Sequence, residues 1–211
     1  MGCATTGPGP NAAPTSEPAI IPLPAPRLEG DLSLEAALAQ RRSVRSFTDA
    51  PLTLEEIGQL LWAAQGVTRD WGGRTAPSAG ALYPLELYIV TQDHVARYRP
   101  DQHAGEVWLE GDRRQAIWAA GLEQEPLAQA PMILAINGVY QRTQAKYGER
   151  AERYVLLEAG HVAQNVLLEA VALGLGAVPI GAFYEDTVAK ALELPAEARL
   201  VYLIPVGHPQ E

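Results

Sequence analysis

One run of twenty residues, from Tyr154 to Leu173, constrains the fold of this chain more than any other feature. The run is almost continuously apolar, and it is longer than an ordinary buried strand. Glycines follow it at positions 174 and 176, where a helix would stop. The run therefore predicts a central, buried helix rather than a strand.

Shorter segments predict the elements that surround this helix. Ser33 precedes an amphipathic stretch, which predicts a helix that ends near position 41 or 42. Thr53 and Glu56 form a capping-box pattern, which predicts a second helix that stops at Gly66. Further helices are predicted over 112–120 and 187–192, a half-buried strand over 85–91, and strands over 131–136 and 200–206. Because helices outnumber strands and long connections separate the strands, the fold class is α+β.

The composition excludes several classes of protein. Lys and Arg number 16 against 25 Asp and Glu, which gives a net charge of −9 and makes nucleic acid an improbable partner. The single cysteine, Cys3, permits neither an internal disulfide nor a thiolate-rich metal site. Apolar residues make up 47% of the chain, which is enough for a packed core. No linker interrupts the chain after Gly30, so residues 31–211 are predicted to form one domain.

The segment Met1–Gly30 holds seven of the 17 prolines and little apolar surface. It predicts a flexible tether, partly in the polyproline II conformation, rather than part of the fold. Its first residues fit three interpretations: an unstructured leader, a bacterial lipoprotein junction at Cys3, and a myristoylation pattern at Gly2. A cytoplasmic protein is expected, with membrane attachment only where Cys3 is lipidated.

A cluster of cations follows the first predicted helix. Arg41, Arg42 and Arg45 stand with Ser43 and Ser46 within six positions. Guanidiniums and hydroxyls at this density suit a dianionic phosphate, which they bind through charge-assisted hydrogen bonds. Cations near a helix C-terminus are also favoured by the helix dipole, at about 0.3–1 kcal/mol each. Residue type alone leaves both interpretations open.

Two stretches of small residues, over 74–84 and 176–183, are candidate contacts for a flat ligand. Their glycines and small side chains allow a ring or a second backbone to approach closely. Neither stretch has the spacing of a P-loop or of a dinucleotide-binding fingerprint. A plain turn and a core strand, respectively, would explain them as well.

The predicted central helix carries a row of polar residues. Glu158 and His161 stand in Glu-x-x-His spacing, and Asn165 follows one turn later. A di-iron site would need a second such pair, which the sequence lacks. Buried polar groups with hydrogen-bond partners are therefore the favoured interpretation, and no metal is expected.

Six strings, taken in order, resemble the nitroreductase superfamily of FMN-dependent oxidoreductases and, within it, the branch of SagB-type (thiazole/oxazole-forming oxidase-like) dehydrogenases. The strings are RRSVRSF, PLTLEEIGQLLWAAQG, RTAPSAGALYPLELYIV, KYGERAERYVLLEAGHVAQN, ALGLGAVPIGAF and VYLIPVGHP. The resemblance spans residues 33–209. It implies a nitroreductase-like fold, with a mainly antiparallel central sheet surrounded by helices, in a homodimer that binds FMN at its interface.

The resemblance also implies which residues contact FMN. Those that match the stretch holding the phosphate and ribityl chain are Arg41, Arg42, Ser43 and Arg45. Those that match a loop reaching the flavin from the other subunit are Pro77, Ser78, Ala79, Gly80 and Leu82. Those that match the segment against the isoalloxazine ring are Val178, Pro179, Ile180 and Gly181. His208 takes the place of an arginine near the phosphate, so weaker or pH-dependent FMN binding is expected.

The implied activity is a two-electron transfer between NAD(P)H or an organic donor and a small organic acceptor of the nitroaromatic or quinone type. Lys146 and Tyr147 match a pair that is taken to remove a proton from the heterocycle in azoline-oxidising members. The alternative for this pair is a solvated surface turn. Two further functions are therefore weighed, an azoline oxidase that uses Lys146 and Tyr147, and a flavin-binding protein without catalytic activity.

Overall fold

The computed structural model describes residues 17–210, and one seven-stranded sheet runs through this part of the chain. Its strands are β1 (Ile20–Pro22), β2 (Leu85–Val90), β3 (His94–Arg99), β4 (Ala104–Glu110), β5 (Met132–Val139), β6 (Gly176–Ala177) and β7 (Ala198–Gly207). The order across the sheet is β1-β4-β3-β2-β5-β7-β6, and every neighbouring pair is antiparallel. The predicted antiparallel sheet is confirmed.

Helices cover both faces of this sheet. They are α1 (Leu34–Gln40), α2 (Leu54–Gln65), α3 (Arg114–Ala120), α4 (Glu125–Gln129), α5 (Tyr140–Tyr147), α6 (Ala151–Ala172) and α7 (Glu185–Ala191), with single 3₁₀ turns at Ala79–Ala81 and Gly148–Arg150. On one face, α2 and α6 enclose a core that includes Leu60 and Val162. On the other face, α3 and α7 enclose a second core around Ile117 and Val188. The predicted α+β class is confirmed.

Helix α6 confirms the predicted central helix. Val155, Val162 and Val166 are fully buried along its inward side. The helix ends where Gly174 takes a φ of +72°, and the Leu175 N–H group donates to the Ala170 carbonyl at 2.7 Å. The stretch 140–172 is long and apolar enough for a membrane span by length and composition alone, but packing against α2 and the sheet is that of a core helix.

Two N-terminal caps fix the helices on either side of the cation cluster. At the start of α1, the Ser33 hydroxyl accepts a hydrogen bond from the Ala36 N–H group at 3.1 Å. At the start of α2, the predicted capping box is present: Thr53 Oγ1 accepts from the Glu56 N–H group, and Glu56 Oε2 accepts from the Thr53 N–H group. The segment 41–52 is therefore held between one helix end and one helix start.

Strand β2 differs from its predicted form. Alternating side chains predict a half-buried strand, yet five of its six residues are buried and only Glu86 is intermediate. Cores on both faces of the sheet explain the difference, because a central strand between two helical layers has no solvated side.

The prediction that the whole segment 1–30 lies outside the fold is wrong for its second half. Residues 20–22 form β1, which pairs with β4 in the register Ile20↔Glu106. Further on, the Arg27 N–H group donates to Gln59 Oε1 at 2.8 Å, and Gln59 returns a hydrogen bond to the Arg27 carbonyl. Backbone pairing at a sheet edge needs no apolar run and tolerates proline. The composition of this segment therefore does not predict an edge strand. Residues 1–16, with Cys3 and its predicted lipidation, lie outside the described residues.

Candidate active site

The structure brings three of the predicted segments together at one end of the sheet. The Val44 N–H group donates to the Ala177 carbonyl at 3.1 Å, which joins the cation cluster to β6. The Thr48 N–H group donates to the His208 carbonyl at 2.9 Å, and Phe47 pairs with Pro209. The residues 41–45, 178–181 and 208, which are far apart in the sequence, therefore form one neighbourhood. We call it the phosphate half.

The guanidiniums of the phosphate half have no anionic partner within residues 17–210. Arg41, Arg42 and Arg45 make no ion pair and no side-chain hydrogen bond there, and Arg42 and Arg45 are exposed. The last turn of α1 contains no basic residue, and Arg41 caps it only through its backbone N–H group. Free guanidiniums beside the half-buried Ser43 favour the phosphate interpretation over the helix-cap interpretation.

The segment 178–181 presents backbone to a surface depression. The Ile180 N–H group donates to the Leu203 carbonyl of β7 at 2.8 Å, so it is not available to a ligand. Pro179 has no N–H group, and the exposed Gly181 N–H group has no acceptor within residues 17–210. Arg45 and Ser46 line the same depression of about 410 Å³. A flat ligand there would meet two small residues, Gly181 and Ala182, whose N–H groups have no acceptor within residues 17–210.

His208 is half-buried at the rim of the phosphate half. Its Nε2 atom lies 3.8 Å from Glu56 Oε1, at the start of α2, so the imidazole forms an ion pair when it is protonated. Glu56 therefore competes with any anion for this histidine. The expected role of His208 near a phosphate stays a prediction.

The loop 77–82 belongs to a second neighbourhood. Its hydroxyl Ser78 Oγ accepts from the Tyr83 N–H group at 2.9 Å, and the Tyr83 hydroxyl accepts from the Arg74 N–H group at 3.1 Å. Gly80 takes a φ of +64°, a conformation that residues with a Cβ atom rarely adopt. Pro77 and Gly80 are exposed, whereas Ser78, Ala79 and Leu82 are half-buried. The loop is therefore held by its own polar contacts and exposes Pro77 and Gly80 to solvent.

Lys146 and Tyr147 end α5 directly against this loop. A Cβ atom at Gly80 would lie 2.7 Å from the Tyr147 hydroxyl and 2.8 Å from Lys146 Nζ. The Tyr147 ring also packs edge-on against Tyr154, with 5.0 Å between ring centroids. The pair thus contacts the loop that the resemblance assigns to the flavin, which favours a functional role over a solvated turn. We call residues 77–82, 146 and 147 the loop half.

Within residues 17–210, no side-chain hydrogen bond or ion pair connects the loop half to the phosphate half. Each half is internally connected through its own contacts. The predicted site residues therefore form two separately connected clusters, and their roles in binding and catalysis stay predictions.

Glu158 lies beneath the loop half, and it is the buried, hydrogen-bonded polar group that the sequence predicts at this position. The side chain is buried, and its Oε1 atom accepts from Gln65 Nε2 at 3.3 Å. Gln65 Oε1 in turn accepts from Arg74 Nη1 at 2.9 Å. Burial raises the pKa of the Glu158 carboxyl, against the opposing effects of the Ser78 and Gln65 hydrogen bonds and the Arg74 charge. The chain of contacts joins α6 to α2 and to the loop.

The metal interpretation of this helix gains no support. His161, the other member of the Glu-x-x-His pair, is exposed, while Asn165 donates to the Ala63 carbonyl at 3.0 Å. Across residues 17–210, no group of three or more His, Cys, Asp or Glu side chains is arranged to hold a metal ion.

The raised pKa of Glu158 predicts a pH effect on stability. The folded state binds the carboxyl proton more tightly than the unfolded state, so the free energy of unfolding falls as the pH rises above the ordinary value of 4.5. The variant Glu158→Gln keeps an oxygen for Gln65 and does not titrate. Urea unfolding at a series of pH values should show that its stability relative to wild type increases across this range.

The control for this measurement is Glu152→Gln, which changes an exposed carboxylate on the same helix. A constant difference between Glu158→Gln and wild type at every pH would contradict the prediction.

Comparison with known proteins identifies the chain. The model of the nitroreductase family matches residues 38–208, so the chain belongs to the nitroreductase family. It is 43% identical over 183 residues to a protein of Methanocaldococcus jannaschii described as a nitroreductase. The aligned region covers 84% of this chain and 91% of that protein. It is 23% identical to the FMN reductase [NAD(P)H] of Bacillus subtilis, over 83% of this chain and 65% of that protein.

A solved structure agrees with the fold. The crystal structure of a nitroreductase-family protein from Ralstonia eutropha JMP134 superimposes with a TM-score of 0.81 at 28% identity. The superposition covers 96% of this chain and 98% of the other. The family and its relatives establish an oxidoreductase with a nitroreductase fold.

Proposed function

We propose that this oxidoreductase binds FMN and transfers two electrons from NAD(P)H, or from an organic donor, to a small organic acceptor of the nitroaromatic or quinone type. The observation that carries the proposal is the phosphate half. There, three guanidiniums have no anionic partner in residues 17–210, and one of them, Arg45, lines a depression with a free backbone donor at Gly181. A mononucleotide, with one phosphate and one flat ring, matches that combination.

Different residues of the phosphate half would contact different parts of FMN. Arg41, Arg42 and Arg45, with Ser43, would bind the phosphate and ribityl chain. The backbone of 178–181 would lie against the ring, where the Gly181 N–H group is an available donor. Bound FMN supplies the redox chemistry, because its ring accepts and returns two electrons. The chain has no dinucleotide fingerprint, which favours FMN over FAD.

The loop half would complete the site from a second subunit. Gly80, Lys146 and Tyr147 touch one another within one chain, so they would reach a partner's flavin as one unit. Helix α6 also exposes Leu156 and Leu157 by 47% and 50%, an apolar surface that a homodimer would cover.

A second candidate function is supported by the loop half. Lys146 Nζ and the Tyr147 hydroxyl converge on the position of Gly80, where together they would take a proton from a substrate such as an azoline ring. In this activity the organic substrate, rather than NAD(P)H, is the electron donor. A flavin-binding protein without catalysis is the alternative from another class.

One experiment separates these functions. The purified chain is saturated with FMN without oxygen, mixed with NADH, NADPH or a thiazoline-containing peptide, and followed by the visible absorbance of the flavin. Rapid bleaching by a nicotinamide supports the proposed function, whereas bleaching only by the thiazoline supports the azoline oxidase. Bound flavin that no donor bleaches would identify a binding protein, and failure to bind FMN on titration would overturn the cofactor proposal.

A further inference from the structure

A cavity of about 290 Å³ lies beside the loop half and is lined by four arginines, Arg74, Arg97, Arg99 and Arg142. Arg97 and Arg99 project from one face of β3, because alternate residues of a strand share a face. Arg74 precedes the loop, and Arg142 lies on α5. On a chain whose net charge is −9, four guanidiniums around one cavity are a local concentration of positive charge. We call it the arginine cavity.

Three carboxylates neutralise only part of this charge. Glu106 accepts from both Arg97 and Arg99 at 2.9 Å, and Asp101 lies 3.7 Å from Arg99. Glu86 pairs with Arg142. These three carboxylates pair with Arg97, Arg99 and Arg142, and they leave Arg74 without an ion pair among the described residues.

Arg74 is the arginine of this cavity that makes no direct ion pair among residues 17–210, and the Glu158 carboxyl acts on it only across Gln65. The Arg74 Nη1 atom donates to the amide of Gln65, which separates it from Glu158. Its guanidinium lies 4.4 Å above the Tyr83 ring, which fixes its position. Arg97 also has an unused donor, because its Nε atom is buried without an acceptor in the described part of the chain. The cavity therefore offers the fixed guanidinium of Arg74, which makes no ion pair in the described part of the chain, whereas the Arg97 Nε atom is enclosed by protein.

The position of the cavity connects it to the proposed chemistry. Arg142 and Lys146 are four residues apart on α5, so their side chains lie on the same face, one turn apart. Arg74 is joined to the loop through Tyr83. A ligand at Lys146 and Tyr147 that carries a negative group would meet this cavity at its edge.

We propose that the arginine cavity binds the oxyanion, a phosphate or a carboxylate, of a small-molecule substrate held at the loop half. The position beside a reacting substrate rests on the proposed function, whereas the binding of an oxyanion does not. The oxyanion has two sources, the phosphates of the nicotinamide donor and a carboxylate on the organic acceptor. In both, guanidinium pairs would hold it through bidentate hydrogen bonds.

Direct binding tests the cavity. Inorganic phosphate is titrated calorimetrically into the FMN-loaded dimer, in which FMN occupies the phosphate half. Arg142→Gln should weaken binding roughly 10-fold or more, the loss expected for one charged hydrogen bond. Glu106→Gln should tighten it, because Arg97 and Arg99 are released. Lys190→Gln removes one exposed cation from α7, outside the cavity, and should change nothing.

Kinetics identify the source of the oxyanion. The KM values of NADPH and NADH, and of 4-nitrobenzoate and nitrobenzene, are compared in wild type and Arg142→Gln. A rise in the KM of NADPH but not of NADH assigns the 2′-phosphate, and a rise for both nicotinamides assigns the pyrophosphate. A rise for 4-nitrobenzoate but not for nitrobenzene assigns a carboxylate, and unchanged KM values for all four overturn the substrate role.

The two proposals fail separately. If the chain binds no FMN, the proposed function fails, and the phosphate titration is repeated on Arg41→Ala, which removes a competing cation of the phosphate half. Phosphate binding that responds equally to Arg142→Gln and Lys190→Gln, or is absent from wild type, would overturn the arginine cavity as a site.

Discussion

Arg41→Ala should bind FMN with a free energy weaker by about 1.5–3 kcal/mol, the contribution of a hydrogen bond to a charged group. The Arg41 side chain makes no ion pair or hydrogen bond within residues 17–210, so nothing in the described fold competes for it. Its backbone N–H group, which caps α1 on the Ala37 carbonyl, is kept in the variant. Titration of the apoprotein, followed by flavin fluorescence, measures the change.

The apoprotein's stability distinguishes this result from the helix-cap interpretation. A cation that acts only on the helix dipole contributes about 0.3–1 kcal/mol to folding and nothing to FMN binding. Arg69→Ala is the matched control, because Arg69 is exposed and, among the described residues, its guanidinium donates a hydrogen bond only to the neighbouring Thr68 carbonyl. If Arg41→Ala keeps the FMN affinity of wild type and its apoprotein is less stable, the cation cluster caps helix α1 and does not bind the phosphate.

Local patterns predict the parts of this fold that have one dominant cause. The run from Tyr154 predicts α6 because a mostly apolar run of twenty residues is too long for a buried strand, and the capping box at Thr53 specifies the start of α2. The same reasoning misses β3 and β4. Their charged residues Arg97 and Glu106 are typical of a solvated loop, and only their pairing across the two strands makes burial acceptable.

The sites show the same limit. Residue types alone identify the cations at 41–45 and the small residues at 176–183 as candidates. That they form one neighbourhood depends on the hydrogen bond from Val44 to Ala177, which no local pattern contains. The contact of Gly80 with Tyr147 likewise arises from how α5 packs. Local sequence motifs therefore identify which residues can bind or react, whereas long-range packing determines which of these motifs lie next to one another.

Mixed dimers should recover activity that neither parent has, because the two halves of each site come from different subunits in the proposed dimer. One parent, Arg41→Ala with Arg45→Ala, disables the phosphate half. The other, Gly80→Val, places a β-branched residue at a φ of +64°, with its Cβ within 3 Å of Lys146 and Tyr147, and disables the loop half. Each homodimer should lose nearly all turnover. After reassortment, half of the dimers are mixed, and each has one intact site, so about a quarter of the wild-type activity returns.

The control mixes the arginine double variant with Gly181→Val. Both parents are then damaged in the phosphate half, so every site in a mixed dimer contains one defect and no activity should return. Sedimentation confirms that reassortment occurs in both mixtures. If Gly80→Val and the arginine variant also fail to restore turnover while mixed dimers form, one chain must supply both halves of a site. The two neighbourhoods would then have to meet through a movement of α5 and the loop within a single subunit, rather than across an interface.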